Sequence, residues 1–320
     1  MKAIRLNEFG GTEHLSVDDI EIPAPAPDEV LIKTVASGIN FADIMLRQGK
    51  YLFTPELPFT LGFEAAGTVE SVGSDVSGIE VGQRVLGMMR GGGYAEFAAA
   101  PASQVFPIPD GMDFGEATAL LVQGLTAVGL LRDLQPGQTI LIHAAAGGVG
   151  SLLVQLAKQK GARVLGTASS PEKLEMAAGL GMDVGINYTE SDWAEKVLEA
   201  TEGRGADMII EMVGGEMGSK SMECLAVKGR MIVYGAVTGE DFKISALGLL
   251  GKMQKVEGYN LNLETPANMA AFTGELMTAY GAGNLEISVV EFPLEKAVEA
   301  HQAIEGRRTT GKVVLTSNPD

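Results

Sequence analysis

The chain has 320 residues, of which 46% are hydrophobic and 20% charged, and its formal net charge is −17. This length exceeds the usual size of one hydrophobic core, and the composition is typical of a globular chain rather than a disordered one. The negative charge argues against nucleic acid or an anionic membrane as a partner, and it requires local cations wherever a phosphate group binds. We therefore predict a two-domain globular protein.

The cysteine content and the length of the longest apolar run bear on the cellular location of the protein. Cys224 is the single cysteine, so neither an intrachain disulfide nor a cysteine-based zinc cluster can form. The most apolar stretch, residues 117–131, falls short of the ~20 residues that span a bilayer, and Gln123 and Gly124 interrupt it. Residues 1–6 predict a first strand rather than a signal peptide. We expect a cytoplasmic protein without a membrane segment.

Residues 1 to about 110 contain short β-type runs separated by glycine and proline, such as 29–35, 67–73 and 93–97. Many short strands with frequent turns predict a barrel-like β domain. Residues 22–27 predict an extended connector, because their prolines fix φ and disfavour helix in the residues before them.

From about residue 116 the pattern changes to alternating helices and strands. A helix is predicted over 116–131. Strands follow near 139–143, 163–168, 184–187, 207–211 and 230–235, and helices near 149–160, 171–180, 191–201 and 216–226. Such alternation predicts a parallel sheet with helices on both faces.

Beyond about residue 260 the pattern is mixed again. We predict a helix near 266–280, a strand near 286–292, a helix near 294–305 and a last strand at 312–315. We expect this tail to return to the first domain. The predicted domains are therefore residues 1–120 completed by 261–320, and residues 121–260.

The most informative segment is residues 145–150, Ala-Ala-Gly-Gly-Val-Gly. It lies between a predicted strand and a helix whose apolar residues recur at helical spacing until Gly161. A turn of small residues lets the backbone approach a pyrophosphate, and a helix N-terminus adds free N–H groups and partial positive charge. Ala145 stands where the usual fingerprint has glycine, and an ordinary strand-to-helix turn is the alternative. The surrounding strand–turn–helix–strand unit favours dinucleotide binding.

Five stretches resemble the zinc-independent branch of the medium-chain dehydrogenase/reductase superfamily, above all the NADPH:quinone oxidoreductases of the zeta-crystallin group. They are residues 36–43 with 47–51, 61–67, 123–127, 143–150 and 186–188. The resemblance covers essentially the whole chain. It implies an α/β protein with a GroES-like β-rich catalytic domain and a doubly wound Rossmann domain with a parallel sheet.

The departures from the wider superfamily predict that no metal is bound. Zinc alcohol dehydrogenases carry a cysteine where this chain has Ser37–Asn40, and a histidine where it has Phe63, which cannot bind a metal. The four-cysteine lobe is absent, and His14, His143 and His301 are scattered. We expect His143, which closes a strand, to be a packed or hydrogen-bonded structural histidine rather than a base.

The cofactor is predicted from the end of the second strand, where an NAD site usually carries an acid that binds the ribose hydroxyls. Here the strand at 163–167 is followed by Ser169 and Ser170, which leave room for a 2′-phosphate. In the family that this chain resembles, a lysine and a tyrosine contact that phosphate, and Lys173 and Tyr188 match them. Alone, Lys173 would indicate only a solvated helix cation, but beside the missing acid it indicates NADPH rather than NADH.

The resemblance places Asn40 beside the nicotinamide ribose and ring, and Asp43 and Tyr51 in the catalytic cleft. Tyr51 can stack on a flat acceptor or donate a hydrogen bond through its hydroxyl. Alternatively, Asp43 caps a helix or pairs with Arg47, and Tyr51 packs between the domains. Glu64 has a structural alternative as well: it is a buried carboxylate that is hydrogen-bonded to backbone, because there is no metal for it to support.

The same resemblance assigns the remaining cofactor contacts. Thr126 holds the cofactor from the helix that enters the second domain, and Lys312 is a basic residue that reaches it. The complete predicted cofactor-binding set is Asn40, Thr126, Gly147, Gly148, Val149, Gly150, Ser169, Ser170, Lys173, Tyr188, Val213, Gly235, Ala236, Tyr259, Asn260 and Lys312.

The resemblance implies that NADPH reduces a quinone by hydride transfer. Without a Lewis acid, the protein must position the reactants and stabilise negative charge on the acceptor oxygen with hydrogen-bond donors. Reduction of an activated C=C bond in enones, alkenals or haloacrylates is the first alternative, and a cofactor-binding structural or regulatory protein with little turnover is the second. A homodimer formed through an edge strand within residues 242–256 is also implied.

Overall fold

The computed structural model describes residues 1–317. The chain divides into two compact units. The first unit consists of residues 1–122 and the residues from 287 onward, and the second unit consists of residues 123–286.

The first part of the first unit consists mainly of short strands. Its elements are β1 (Lys2–Leu6), β2 (Leu15–Asp19), β3 (Glu29–Ile39), α1 (Phe41–Arg47), β4 (Phe59–Thr60), β5 (Glu64–Val72), β6 (Arg84–Met88), β7 (Phe97–Pro101), β8 (Val105–Pro107) and α2 (Phe114–Thr118). Three of these strands form an antiparallel sheet in the order β2-β1-β4. Glycine and proline between the strands keep each one short, as the sequence pattern predicts.

The second unit alternates helices and strands. Its elements are α3 (Leu125–Leu130), β9 (Thr139–Ile142), α4 (Gly148–Gln159), β10 (Arg163–Ala168), α5 (Pro171–Gly179), β11 (Val184–Asn187), α6 (Trp193–Ala200), β12 (Ala206–Glu211), α7 (Gly215–Ser221), β13 (Leu225–Val233), α8 (Ala246–Lys252), β14 (Lys255–Gly258) and α9 (Pro266–Gly281). The six strands are parallel, in the order β11-β10-β9-β12-β13-β14. The strand order reverses between β9 and β12, and ligands of doubly wound sheets bind at such a point.

The C-terminal segment returns to the first unit. It adds β15 (Val289–Pro293), α10 (Ala297–Glu305) and β16 (Lys312–Thr316). β16 pairs in parallel with β15 and antiparallel with β3, which completes a seven-stranded sheet in the order β15-β16-β3-β5-β6-β8 with β7 on β3. The predicted α/β fold, with one β-rich and one doubly wound part, is confirmed.

The point of return differs from our prediction. Residues 261–286, which we assigned to the first domain, lie in the second unit. The physical reason is that α9 packs on α3. In addition, Gln155 Nε2 in α4 donates a hydrogen bond to the Glu286 carbonyl at 3.0 Å.

One predicted helix is interrupted, and another is shorter than expected. The helix predicted over 116–131 consists of α2, a π-type turn over residues 119–124, and α3. The Val122 N–H in this turn donates to the Glu64 carboxylate at 3.1 Å, which satisfies a donor that a wider turn leaves free. The helix predicted near 216–226 ends at Ser221, because Leu225 already pairs with Ala206 in the sheet.

The predicted edge strand within residues 242–256 is mostly wrong. Residues 246–252 form α8, and only β14 pairs with β13 at the sheet edge. Leu247 and Leu250 follow helical spacing, and Ser245 caps the helix by accepting from Gly248 N at 3.1 Å. Within residues 1–317, no helix is long and apolar enough to cross a bilayer.

Gly150 gives a test of how closely α4 packs on the end of β9. A Cβ at Gly150 would lie 2.1 Å from the Ala144 carbonyl oxygen. The Gly150→Ala variant must therefore displace backbone, and we expect it to lower the free energy of unfolding by about 1–3 kcal/mol. Urea titration measures this change.

The Gly274→Ala variant is the matched control, because Gly274 is in α9 and nothing lies within 4 Å of its Cβ position. It should be neutral or stabilising by up to about 1 kcal/mol. Equal losses in the two variants would show that the close approach at Gly150 does not matter.

Candidate active site and cofactor site

Three strands of the first unit bring one group of polar side chains together. Asn40 follows β3, Glu64 begins β5 and Lys312 begins β16. Since β3 is antiparallel to both other strands, its end lies beside their starts. Glu64 Oε1 accepts hydrogen bonds from Asn40 Nδ2 at 2.8 Å and from Lys312 Nζ. Lys312 Nζ also donates to Asn40 Oδ1 at 3.1 Å. We call Asn40, Glu64 and Lys312 the polar cluster.

The polar cluster is buried and its charges are paired. Glu64 is 0% exposed and Lys312 1%. The second oxygen of Glu64 accepts from the Val122 N–H, so both carboxylate oxygens have partners. Gly38 leaves the space that the pair occupies, because a Cβ there would lie 2.3 Å from Glu64 Oε1 and 2.7 Å from Lys312 Nζ. The cluster therefore holds the Asn40 amide in one orientation.

Asp43 caps α1 from inside the protein. Its Oδ2 accepts from the Asn40 N–H at 2.8 Å and its Oδ1 from the Gly62 N–H at 3.2 Å. The pKa of Asp43 is raised to about 7, mainly by burial and also by the charge of Glu64, although the Asn40 hydrogen bond and Lys312 oppose this. The contacts of Asp43 are therefore those of a helix cap, which is the first alternative given above. Pairing with Arg47 is wrong, because Arg47 binds the Gly10 carbonyl and Glu305.

Tyr51 lies in a group of aromatic rings. Its ring centroid is 5.6 Å from that of Phe53 and 5.4 Å from that of Phe63. Burial and the charge of Asp43 raise the pKa of Tyr51, so its hydroxyl stays protonated and can donate. In the sequence, Phe63 indicates only that a metal ligand is missing, and nothing singles out Phe53. Phe53 and Phe63 are ten residues apart in the chain, and this spacing carries no recognisable signal.

The turn at 145–150 has the shape of an anion cradle. Gly147 caps α4, and the first intrahelical bond of this end runs from Ser151 N to the Gly147 carbonyl at 2.9 Å. The N–H groups of Gly148, Val149 and Gly150 therefore have no partner within the helix. No acid occupies the first turn of α4. This end of the helix suits a negatively charged group.

Gln123 is a residue of this site that the predicted set lacks. Its Oε1 is buried without a hydrogen-bond partner in the described part of the chain. A Cβ at Gly148 would lie 2.1 Å from that oxygen, so Gln123 reaches the start of α4 only because Gly148 has no side chain. A buried acceptor without a donor beside an anion cradle fits a ligand that also carries hydroxyl or amide donors.

The structure brings most other predicted cofactor residues of the second unit to one edge of the sheet. Parallel strands have all their carboxyl ends on the same edge, and these residues follow those ends. Tyr188 N, after β11, donates to the Ala168 carbonyl at the end of β10 at 3.1 Å. The residues concerned are Ser169, Ser170 and Lys173 after β10, Tyr188 after β11, Val213 after β12, Gly235 and Ala236 after β13, and Tyr259 and Asn260 after β14. Thr126 is instead a buried residue of α3.

Some of these side chains already have structural partners. Tyr259 packs on α3, where a Cβ at Gly129 would lie 2.0 Å from its hydroxyl. Asn260 caps a short turn by accepting from Asn262 N at 3.0 Å. Glu172, in the first turn of α5, places an acid beside Ser170, although the sequence predicts a phosphate site without an acid. Its hydrogen bond with Ser170 lowers its pKa. All the predicted cofactor roles stay predictions.

His143 is a buried, hydrogen-bonded histidine, as we predicted. Its Nδ1 lies 3.0 Å from Thr167 Oγ1 and its Nε2 lies 2.8 Å from Ser221 Oγ. Ser221 in turn donates to Glu211 Oε2 at 3.0 Å, and Glu211 Oε1 accepts from the Val213 N–H at 2.6 Å. Burial lowers the pKa of His143 although Glu211 opposes this. This network ties β9, β10, β12 and α7 together.

The described residues contain no group of three or more His, Cys, Asp and Glu side chains that could hold a metal ion. The position before Glu64 carries the phenyl ring of Phe63. Glu64 itself is bound by Lys312 and Asn40.

Comparison with known proteins agrees with this arrangement. Residues 26–110 match the alcohol dehydrogenase GroES-like domain family, and residues 148–275 match the zinc-binding dehydrogenase family. The quinone oxidoreductase of Pseudomonas aeruginosa is 37% identical over 325 residues, which cover 98% of this chain and 99% of the relative. The 2-haloacrylate reductase of a Burkholderia species is 35% identical over 328 residues, with 97% of each protein covered.

A solved structure extends the likeness to the fold. Escherichia coli quinone oxidoreductase complexed with NADPH has a TM-score of 0.94 and 32% sequence identity, and the match covers 99% of this chain and 100% of that chain. A GroES-like unit with a doubly wound unit defines an oxidoreductase of the medium-chain type. The chain belongs to the medium-chain dehydrogenase/reductase superfamily and, within it, to the quinone oxidoreductase family.

Asp43 should make the protein less stable as the pH rises. Its pKa is 3.8 ordinarily and about 7 in the folded protein. Between these values the folded protein holds a proton that the unfolded chain has released, so the free energy of unfolding falls with pH. The difference in pKa corresponds to about 4 kcal/mol. Urea titrations of the wild type and of the Asp43→Asn variant across this range measure the effect.

We expect the decline to be much shallower in the Asp43→Asn variant. The Glu295→Gln variant is the control, because the hydrogen bond from Lys2 lowers the pKa of Glu295 and confines its titration to more acidic pH. Parallel curves for the wild type and the Asp43→Asn variant would show that Asp43 does not titrate in this range.

Proposed function

We propose that this chain reduces quinones with NADPH by hydride transfer and without zinc. The observation that carries the proposal is the polar cluster, which holds the Asn40 amide in place close to aromatic rings that suit a flat acceptor. The family membership and the quinone oxidoreductase relatives support it. In this proposal the catalytic residues are Asn40, Asp43 and Tyr51.

The second unit fits NADPH. The start of α4 offers three backbone N–H groups to the pyrophosphate, and the unpartnered Gln123 oxygen accepts from the ligand. At the ends of β10 and β11, the hydroxyls of Ser169 and Ser170 with Lys173 and Tyr188 hold the 2′-phosphate. The net charge of −17 makes a local cation at this place necessary.

NADPH, when bound, supplies the hydride. Asn40 Nδ2 carries two N–H groups, and Glu64 accepts one of them, so the other can bind an oxygen or a carboxamide. The protonated Tyr51 hydroxyl supplies a second donor. Two donors held in place before the reaction stabilise negative charge that grows on the acceptor oxygen. Burial of the polar cluster strengthens this effect, because little water competes.

Reduction of an activated C=C bond is the second candidate function. The 2-haloacrylate reductase relative favours it, because that protein matches this chain over nearly its whole length. Such an acceptor also places negative charge on an oxygen, so the polar cluster serves both reactions equally.

Lys173 provides the test of the cofactor. We expect the Lys173→Ala variant to weaken the binding of NADPH by about tenfold while leaving the weaker binding of NADH within twofold, because only NADPH carries the 2′-phosphate. Nucleotide fluorescence titration measures both dissociation constants. The Lys196→Ala variant removes a partly exposed lysine of α6 and should change neither dissociation constant. Equal losses for both nucleotides would remove Lys173 from the phosphate site.

A panel of acceptors tests the reaction. We expect NADPH oxidation with quinones, and a loss of about 100-fold in kcat in the Asn40→Ala variant, the size expected when one oxyanion donor is removed. The Tyr51→Phe variant should lose less. The Asn7→Ala variant changes an exposed asparagine of the same unit and should retain full activity. No oxidation with either quinones or enones would favour a cofactor-binding protein with little turnover.

We further propose a homodimer formed through α8 and β14. Leu247 is 79% and Leu250 76% exposed on α8, next to the sheet edge at β14. Unpaired strand edges and exposed leucines favour association.

Sedimentation equilibrium should give a dimer for the wild type and a monomer for the Leu247→Lys/Leu250→Lys variant. The Leu263→Lys variant, at an 82% exposed leucine outside α8, should stay dimeric. A monomeric wild type would refute the assembly.

A further inference from the structure

Tyr51, Phe53 and Phe63 form a continuous group that we call the aromatic wall. The ring centroids of Tyr51 and Phe53 are 5.6 Å apart, those of Tyr51 and Phe63 5.4 Å, and those of Phe53 and Phe63 6.3 Å. Each ring thus touches the other two, at the separations that aromatic pairs prefer. Only the Tyr51 hydroxyl introduces a polar atom.

The aromatic wall packs on the core of the first unit and is partly exposed to solvent. Tyr51 and Phe63 pack on the buried core of the first unit, which includes Leu61 and Ile39. Both rings are nevertheless only partly buried, and Phe53 is 36% exposed. Rings held by a core and by one another lose little conformational freedom when a ligand covers them.

The aromatic wall adjoins the polar cluster. Tyr51 and Phe63 both pack on the core that contains Ile39, the residue directly before Asn40. Tyr51 is near enough to Asp43 to respond to its charge, and Asp43 in turn binds the Asn40 backbone. The amide that we assign to the acceptor oxygen and the three rings therefore belong to one place on the first unit.

The polar cluster alone cannot select between acceptors. It offers a donor to one oxygen, and quinones, enones and haloacrylates each present such an oxygen. Shape and apolar area distinguish them instead, because a fused-ring quinone covers a broad flat surface and a small acyclic acceptor does not.

We propose that the aromatic wall selects planar, fused-ring quinones over small acyclic acceptors, with Phe53 and Phe63 as the residues that determine specificity. The inference rests on the proposed function and assigns its acceptor class. A favourable ring pair accounts for about a 2- to 10-fold effect, so loss of one ring should reduce the preference by that factor.

The test compares a naphthoquinone with methyl vinyl ketone as acceptors, each with NADPH. In the Phe63→Leu and Phe53→Leu variants, kcat/KM for the naphthoquinone should fall about 2- to 10-fold, and kcat/KM for methyl vinyl ketone should stay unchanged. The Leu52→Ala variant is the control, because Leu52 lies between Tyr51 and Phe53 in the chain and is 77% exposed. It should leave both values unchanged.

Two further measurements keep the outcomes distinct. NADPH dissociation constants and melting temperatures should stay close to the wild type in the Phe53→Leu variant, which removes the most exposed ring. Equal losses for both acceptors, or no loss for either, would overturn the assignment of the aromatic wall. A wild type that oxidises NADPH with neither acceptor would overturn the proposed function itself.

Discussion

The ion pair between Lys312 and Glu64 is the interaction on which the first unit depends. Both groups are buried, and a buried charge is tolerated only with a partner and with its remaining hydrogen bonds satisfied. Glu64 meets this condition through Lys312, Asn40 and the Val122 N–H. The C-terminal strand must therefore return to β3, because it brings the only cation that contacts Glu64 in the described residues.

The same pair bears on our proposal that the reaction needs no zinc. Phe63 cannot bind a metal at the position where the zinc enzymes carry histidine. Glu64, which follows it, is ion-paired with Lys312. In the reaction that we propose, the Asn40 amide is the hydrogen-bond donor to the acceptor oxygen, and the paired Lys312 and Glu64 hold that amide in place. In our further proposal, the phenyl ring of Phe63 is also part of the surface that the acceptor covers.

Local patterns predicted much of this molecule, and distant pairings did not follow from them. The turn at 145–150 and the first five of the six parallel strands are encoded within windows of a few residues, so strand and helix periodicity were enough to find them. Glu64 and Lys312 are 248 positions apart, and the gap that Gly38 leaves for them is visible only in three dimensions. The prediction of an edge strand at 242–256 was mostly wrong for a different reason. An apolar run of that length suits a helix as well as a strand. The sequence was enough to place most of the predicted cofactor residues of the second unit after strand ends, whereas it did not single out Gln123.

A double-mutant cycle on Glu64→Gln and Lys312→Met measures the ion pair most directly. Unfolding free energies of the wild type, both single variants and the double variant give the coupling between the two side chains. We predict that each single change costs about 3–5 kcal/mol and that the double variant costs clearly less than the sum, because no lone buried charge remains. Additive losses, with a coupling within about 0.5 kcal/mol of zero, would contradict the role assigned to the pair.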